Sequence, residues 1–129
     1  MARIIKSVAL AALTLVVALV LHRCYRHFRG IEVCLRNVDG QPLGSGQVAV
    51  RSSISNRTYP IGDLAPGDKT CVWVKADNEA SVDVTFTTPS GAAKVMPLNG
   101  YIEPGYSGWI SADVAADGAR SINEDIDFF

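Results

Sequence analysis

Histidine is nearly missing from this chain: there are 2, His22 and His27, and none follows residue 27. Ser-His-Asp and Cys-His nucleophiles are thereby excluded from residues 30–129. Acid is missing from the first 29 residues, which hold Arg3, Lys6, Arg23, Arg26 and Arg29 but none of the 13 Asp+Glu. Taking those five from the 12 Lys+Arg leaves seven cations against thirteen acids in residues 30–129, so the net charge of -1 splits into +5 and -6. Nucleic-acid binding by the second part is excluded on that count, because phosphate neutralisation needs clustered Lys and Arg. No Cys-x-x-Cys, Gly-x-Gly-x-x-Gly or phosphate loop occurs, so zinc and nucleotide cofactors lack their usual signatures. After residue 30 no window sustains apolar residues at i, i+3, i+4 and i+7, which excludes long amphipathic helices. There is no fixed-period repeat, and a hydrophobic content of 48% argues against disorder. The sequence predicts no enzyme, no cofactor and no metal.

What is present divides the chain in two: residues 1–29 as a membrane anchor with a basic collar, and residues 30–129 as one domain. Ser7–Leu21, SVALAALTLVVALVL, carries no charge. As a helix it spans about 22 Å, and about 27 Å with Ile4, Ile5 and a snorkelling Lys6, enough for a slightly thinned bilayer. Membrane contact is therefore expected over residues 4–21. A cleavable signal peptide is the competing reading, since Arg3 and Lys6 form a basic n-region ahead of the apolar run. The cluster HRCYRHFR (His22–Arg29) mixes Tyr25 and Phe28 with its cations, as residues at a headgroup interface do. Counts of Lys and Arg alone lean toward a cytoplasmic domain, whereas a short N-tail before a first apolar helix exports the chain beyond that helix. The expectation adopted is a single-pass protein of the inner membrane with its domain on the periplasmic side.

From Gly30 the hydrophobic period becomes two. Ile31, Val33 and Leu35 alternate with Glu32, Cys34 and Arg36, and Val82, Val84 and Phe86 with Asp83, Thr85 and Thr87. Further strands are expected around Val48–Val50, Tyr59–Ile61, Ala93–Val95, Trp109–Val114 and Ile122–Ile126. Thr70–Ala76, TCVWVKA, reads as apolar on both faces and hence as a central strand. Seven to eight short strands with Gly, Pro, Asn and Asp between them predict an all-β, immunoglobulin-like β-sandwich behind one transmembrane helix.

The run YPIGDLAPGDKTCVWVKA (Tyr59–Ala76) resembles the corner of fibronectin type III and bacterial immunoglobulin-like modules, with Leu64, Pro66 and Gly67 matching the Leu-x-Pro-Gly turn. In those families the turn feeds a central strand. Thr70 stands where they place an aromatic residue, so their corner hydrogen bond is absent or replaced. The resemblance implies an interaction module used outside the cytoplasm and carries over no functional residue.

Of 3 cysteines, Cys24 falls at the membrane junction, which leaves Cys34 and Cys71 as the candidate disulfide of an exported domain. Two buried free thiols are the alternative, and Cys34 sits on the face opposite Ile31, Val33 and Leu35. The acid pairs Asp125 with Asp127 and Asp77 with Glu79 read as solvated strands or turns. One segment has the composition of a recognition surface: Asn99–Trp109 sets Tyr101, Tyr106 and Trp109, with Glu103, among glycines and Pro104. Tyr106 is its best candidate for exposure, Tyr101 and Trp109 having the alternative of core positions at strand ends. The C-terminal Ile126–Phe129 closes the sheet or forms a free tail read by a partner. The function these features suggest is non-enzymatic binding of another envelope protein; a structural envelope subunit and a periplasmic immunity or inhibitor protein are the alternatives.

Overall fold

The structure, a computed structural model, describes residues 1–128, so Phe129 of the C-terminal segment lies outside the described residues. Among them, α1 (Ala2–Arg29) precedes β1 (Ile31–Asn37), β2 (Leu43–Ser52), β3 (Asn56–Leu64), β4 (Lys69–Val74), β5 (Ala80–Thr87), β6 (Ala93–Ile102), β7 (Ser107–Ala115) and β8 (Gly118–Asp127). α1 contains no Gly or Pro, so nothing interrupts its ladder. Residues Ile4–Arg29 are long and apolar enough to cross a membrane, and none of the most apolar stretch is buried against the rest of the chain. Its last turn carries Arg26, His27 and Arg29, and the two arginines suit the negative end of the helix dipole. Gly30 ends it at φ 84°. A Cβ there would overlap the Val74 carbonyl oxygen, so glycine alone lets the chain pass from helix into β1 in one residue.

The eight strands form two four-stranded sheets, ordered β4-β1-β7-β8 and β3-β2-β5-β6. All neighbours are antiparallel except β1 and β7. The inner faces of both sheets share one core, with Ile31, Val33, Leu35, Ile110, Ala112 and Val114 meeting Val48, Val82, Val84, Phe86, Met96 and Leu98. Each fully buried Val, Leu, Ile, Phe or Met contributes roughly 1.5–3 kcal/mol of transfer free energy. That alternation is why β1 (IEVCLRN) and β5 (ASVDVTFT) show strict in–out burial. Phe86 is wholly buried. It fits because β2 breaks register at Gly46, where any side chain would run into the Phe86 ring.

Two expectations need correction. The immunoglobulin arrangement orders its sheets A-B-E-D and C-F-G, with the first two strands side by side. Here β1 lies between β4 and β7 while β2 pairs with β3 and β5. Thr70–Ala76 is likewise not central: among the described residues β4 is an edge strand paired with β1 alone. Its Lys69, Cys71 and Trp73 are exposed, and Thr70, Val72 and Val74 face inward. The Leu64–Gly67 turn therefore leads into an edge strand. Asn37, buried at the end of β1, ties that corner. Its Nδ2 donates to the carbonyl oxygens of Leu64 and Gln41, both at 2.9 Å. Its backbone carbonyl accepts from Gly67 N–H at 2.9 Å.

Candidate functional site

Because β1, β4, β7 and β8 present every second residue outward, their registers stack the outward residues of the first sheet into transverse rows. Nearest the helix, Glu32 is flanked by Trp73 on β4 and Trp109 on β7, with Asp125 beyond on β8. The next row is Cys71, Cys34, Ser111 and Asn123, and the third is Lys69, Arg36, Asp113 and Ser121. Trp73 and Trp109 are 36% and 40% exposed, unusual for side chains of this size on a sheet that already buries its other face.

One covalent and one ionic tie stiffen this face. Cys34 and Cys71, directly opposite in the ladder, are joined as a disulfide with Cα atoms 4.1 Å apart. Both sulfurs belong to the outward set, so facing away from Ile31, Val33 and Leu35 is what lets the two residues meet. The bond uses both thiols, so of the neighbouring Glu32, Cys34 and Cys71 only Glu32 keeps an ionisable group. Arg36 grips Asp113 across the parallel pair through Nε and Nη2, each at 3.0 Å. The bond from Arg36 holds the Asp113 carboxyl below its ordinary value near 3.8 and raises the guanidinium in turn. Beside this pair lies a groove of 360 Å³ lined by Arg36, Lys69, Ser111, Asp113, Ser121 and Asn123, polar throughout and so unlike the apolar clefts that enclose small ligands.

The four residues singled out between Tyr101 and Trp109 separate. Trp109 belongs to the sheet face. Tyr101, Glu103 and Tyr106 lie at the helix-side end, where the Tyr101 hydroxyl donates to Glu103. Exposure runs opposite to expectation. Tyr106 is the partly buried one, packed on the core and against Phe128 with ring centroids 5.7 Å apart; Tyr101 is 49% exposed. The reason is the helix. Gly105 approaches α1 so closely that a Cβ would sit 2.7 Å from His27 Cε1, which folds the loop onto the last turn of α1 and encloses Tyr106. Arg29 lies between the Tyr25 and Trp73 rings, 5.1 and 4.5 Å from their centroids. Of the acid pairs, Asp77 bonds Arg57 at 2.7 Å and Asp127 faces Arg26 at 3.7 Å.

Sequence reasoning missed Trp73. The signal for Trp73 was present, since Lys69, Cys71 and Lys75 share its parity and mark that side of β4 as the wet one. The assembled face offers two aromatic surfaces, a fixed ion pair, hydroxyls and amides, which are groups that bind by contact.

No family model and no curated protein matches the chain. Among solved structures it is similar to the NMR structure of a protein from Eubacterium rectale, with 14% identity and a TM-score of 0.43 over 78% of this chain and 91% of that one.

Proposed function

We propose that this chain is a single-pass protein of the cell envelope whose β-sandwich lies outside the cytoplasm and binds another envelope protein without catalysing a reaction. The observation that carries the reading is the row Trp73–Glu32–Trp109 on the outer face of the first sheet. Tryptophans dominate the energetics of protein interfaces because each adds a large rigid area with few rotamers to freeze. Here a pair flanks one carboxylate on a surface braced by a disulfide and an Arg36–Asp113 bridge. An extracytoplasmic setting is supported by that disulfide, since Cys71 is exposed and cytosolic reductants keep accessible thiols reduced. The acidic balance of residues 30–129 favours a partner with basic groups around an apolar centre.

Two measurements test it. Fusions of alkaline phosphatase and of green fluorescent protein to the C-terminus report the side of the membrane. Active phosphatase with a dark fluorophore is expected, and the reverse pattern sinks the extracytoplasmic location. A photo-crosslinking residue at position 109 is expected to give one discrete protein adduct in cells, weakened by Trp73→Ala. The same residue at position 95, on the second sheet, gives none. Absence of an adduct from 109, or equal adducts from both positions, overturns the binding face.

A further inference from the structure

The exposed apolar side chains of the β domain are concentrated at one end. β1 leaves the helix at Gly30, so Ile31 marks the helix side, and Ile31 aligns with Val74 of β4 and Gly108 of β7. β8 finishes on the same side, because Asp127 pairs with Ser107. In the second sheet Ala80 aligns with both Ser52 and Ile102, which puts loops 53–55, 75–79 and 103–106 at this end. Turns 38–42, 65–68, 88–92 and 116–117 make the far end. On the helix side Ile54 is 75% exposed, Phe128 73% and Tyr101 49%, with Trp73 and Trp109 in the row just above. Among the described residues of the β domain, the large exposed hydrophobics elsewhere are Val95 and Ile122, both within strands. The far turns hold none.

Depth along α1 says what meets this end. Arg29 lies eight residues past Leu21, about 12 Å along the axis, beyond the roughly 5–8 Å of each headgroup layer. Phe128 does not stay at that level. It lines a small cavity with Arg23, Arg26, Ser107 and Asp127, and Arg23 follows Leu21 by two residues, about 3 Å along the axis. The end of β8 therefore reaches back beside the helix to headgroup depth. Charge does not recruit this end. Arg23, Arg26, Arg29, Arg57 and Lys75 are opposed there by Glu32, Asp77, Glu79, Glu103, Asp125 and Asp127. Apolar transfer and the preference of aromatic rings for the interface are the available driving forces.

We infer that the helix-side end of the β domain is a lipid-contact surface, with Phe128 seated in the headgroup layer of the bilayer that α1 crosses and the exposed Ile54 and Tyr101 facing the same bilayer. The inference rests on the reading of α1 as a membrane anchor. Contact on this side fixes the tilt of the domain and keeps the Trp73–Trp109 face presented along the membrane, toward a neighbour in the same bilayer.

The test uses the full chain in phospholipid vesicles, with Phe128→Trp as reporter in a Trp73→Phe, Trp109→Phe background and Ser90→Trp as the far-end control. Lipids brominated in the upper acyl chain are expected to quench the F128W emission and leave S90W unchanged, equally with and without anionic lipid. F128W emission insensitive to brominated lipid, in protein that floats with the vesicles, overturns the lipid contact while leaving the anchor standing. Protein that fails to float removes the anchor reading, and the inference with it. Hydrogen exchange of the unsubstituted chain supplies a second measurement if the triple substitution impairs folding. Amides of residues 53–55 and 103–106 are expected to exchange more slowly in bilayer discs than in detergent, with 88–92 unchanged. Equal exchange at both ends overturns it.

Discussion

Replacing both Cys34 and Cys71 by serine isolates what the disulfide contributes, because neither residue belongs to the core. Cys34 is half-buried, Cys71 is exposed, and both stand on the outer face, so the substitution opens no cavity between the sheets. The loss is then chiefly the loop-closure entropy of the unfolded chain. For a sequence separation of 37, that relation gives about 13 cal/mol/K, or about 4 kcal/mol at 25 °C. In a domain of this size a change of 1 kcal/mol moves the midpoint by about 4–8 °C, so the variant is expected to melt about 15–30 °C lower. The assay is a near-ultraviolet circular dichroism melt of the full chain in detergent, with and without reductant. Reductant should bring the wild type down to the variant and leave the variant where it was. A variant melting within about 5 °C of the wild type would refute the reasoning, as it would show that the unfolded chain does not gain the freedom assumed. The same bond tests the compartment: alkylation of intact cells before reduction should label Cys24 alone of the 3 cysteines. Labelling of all three would place the domain among cytosolic reductants.

Phe86→Ala removes a wholly buried ring wedged against Gly46, and is expected to cost about 3–5 kcal/mol, seen as a lower urea midpoint at unchanged slope. Asn37→Ala strips the corner of two donated bonds and of the bond its Oδ1 accepts from Asp39 N–H. Leaving those buried groups without partners should cost about 2–4 kcal/mol, read by the same titration. Asp39 accepts a bond from Ala116 N–H at 2.8 Å, and chiefly for that reason its carboxyl lies below the ordinary 3.8. A depressed carboxylate contributes stability that is complete above its unfolded value and is lost as pH falls through its folded one. Melting temperature should therefore hold steady down to about pH 4 and drop below it, with Asp39→Asn and Asp113→Asn each making the acid drop shallower.

Alternation within single strands was legible, and for a physical reason. A strand with one face on a core must place every second side chain in it, so Ile31–Leu35 and Val82–Phe86 declare their inward sets without reference to any other residue. Pairing order is different in kind. TCVWVKA reads as central only if Cys71 and Trp73 are taken as buried, yet they line a solvent face, one as half of a disulfide and the other under Arg29. An edge strand with an apolar outer row and a central strand buried on both faces carry the same letters. What separates them is whether a second ladder forms, which depends on residues far away in the chain. The order β4-β1-β7-β8 was hidden for the same reason, since its parallel pair joins residues 31–37 to 108–114.

The candidate surface was half legible. Composition drew attention to Tyr101, Tyr106 and Trp109 but misplaced Tyr106, because a glycine-flanked aromatic looks solvent-exposed until something packs on it. Here that partner is the last turn of α1, which meets Gly105 through His27 and turns an expected loop surface into a seam. Trp109 escapes the seam by two residues of strand and so comes to lie beside Trp73, 36 positions earlier in the chain and on a different strand. Pairing of this kind depends on β1 standing between them in register. A one-residue slip of either neighbour would turn one tryptophan into the core and dissolve the row. The disulfide fixes the β1–β4 register and Arg36–Asp113 fixes β1–β7, so the ties that hold the sheet together are also the ones that keep the two rings on the same face.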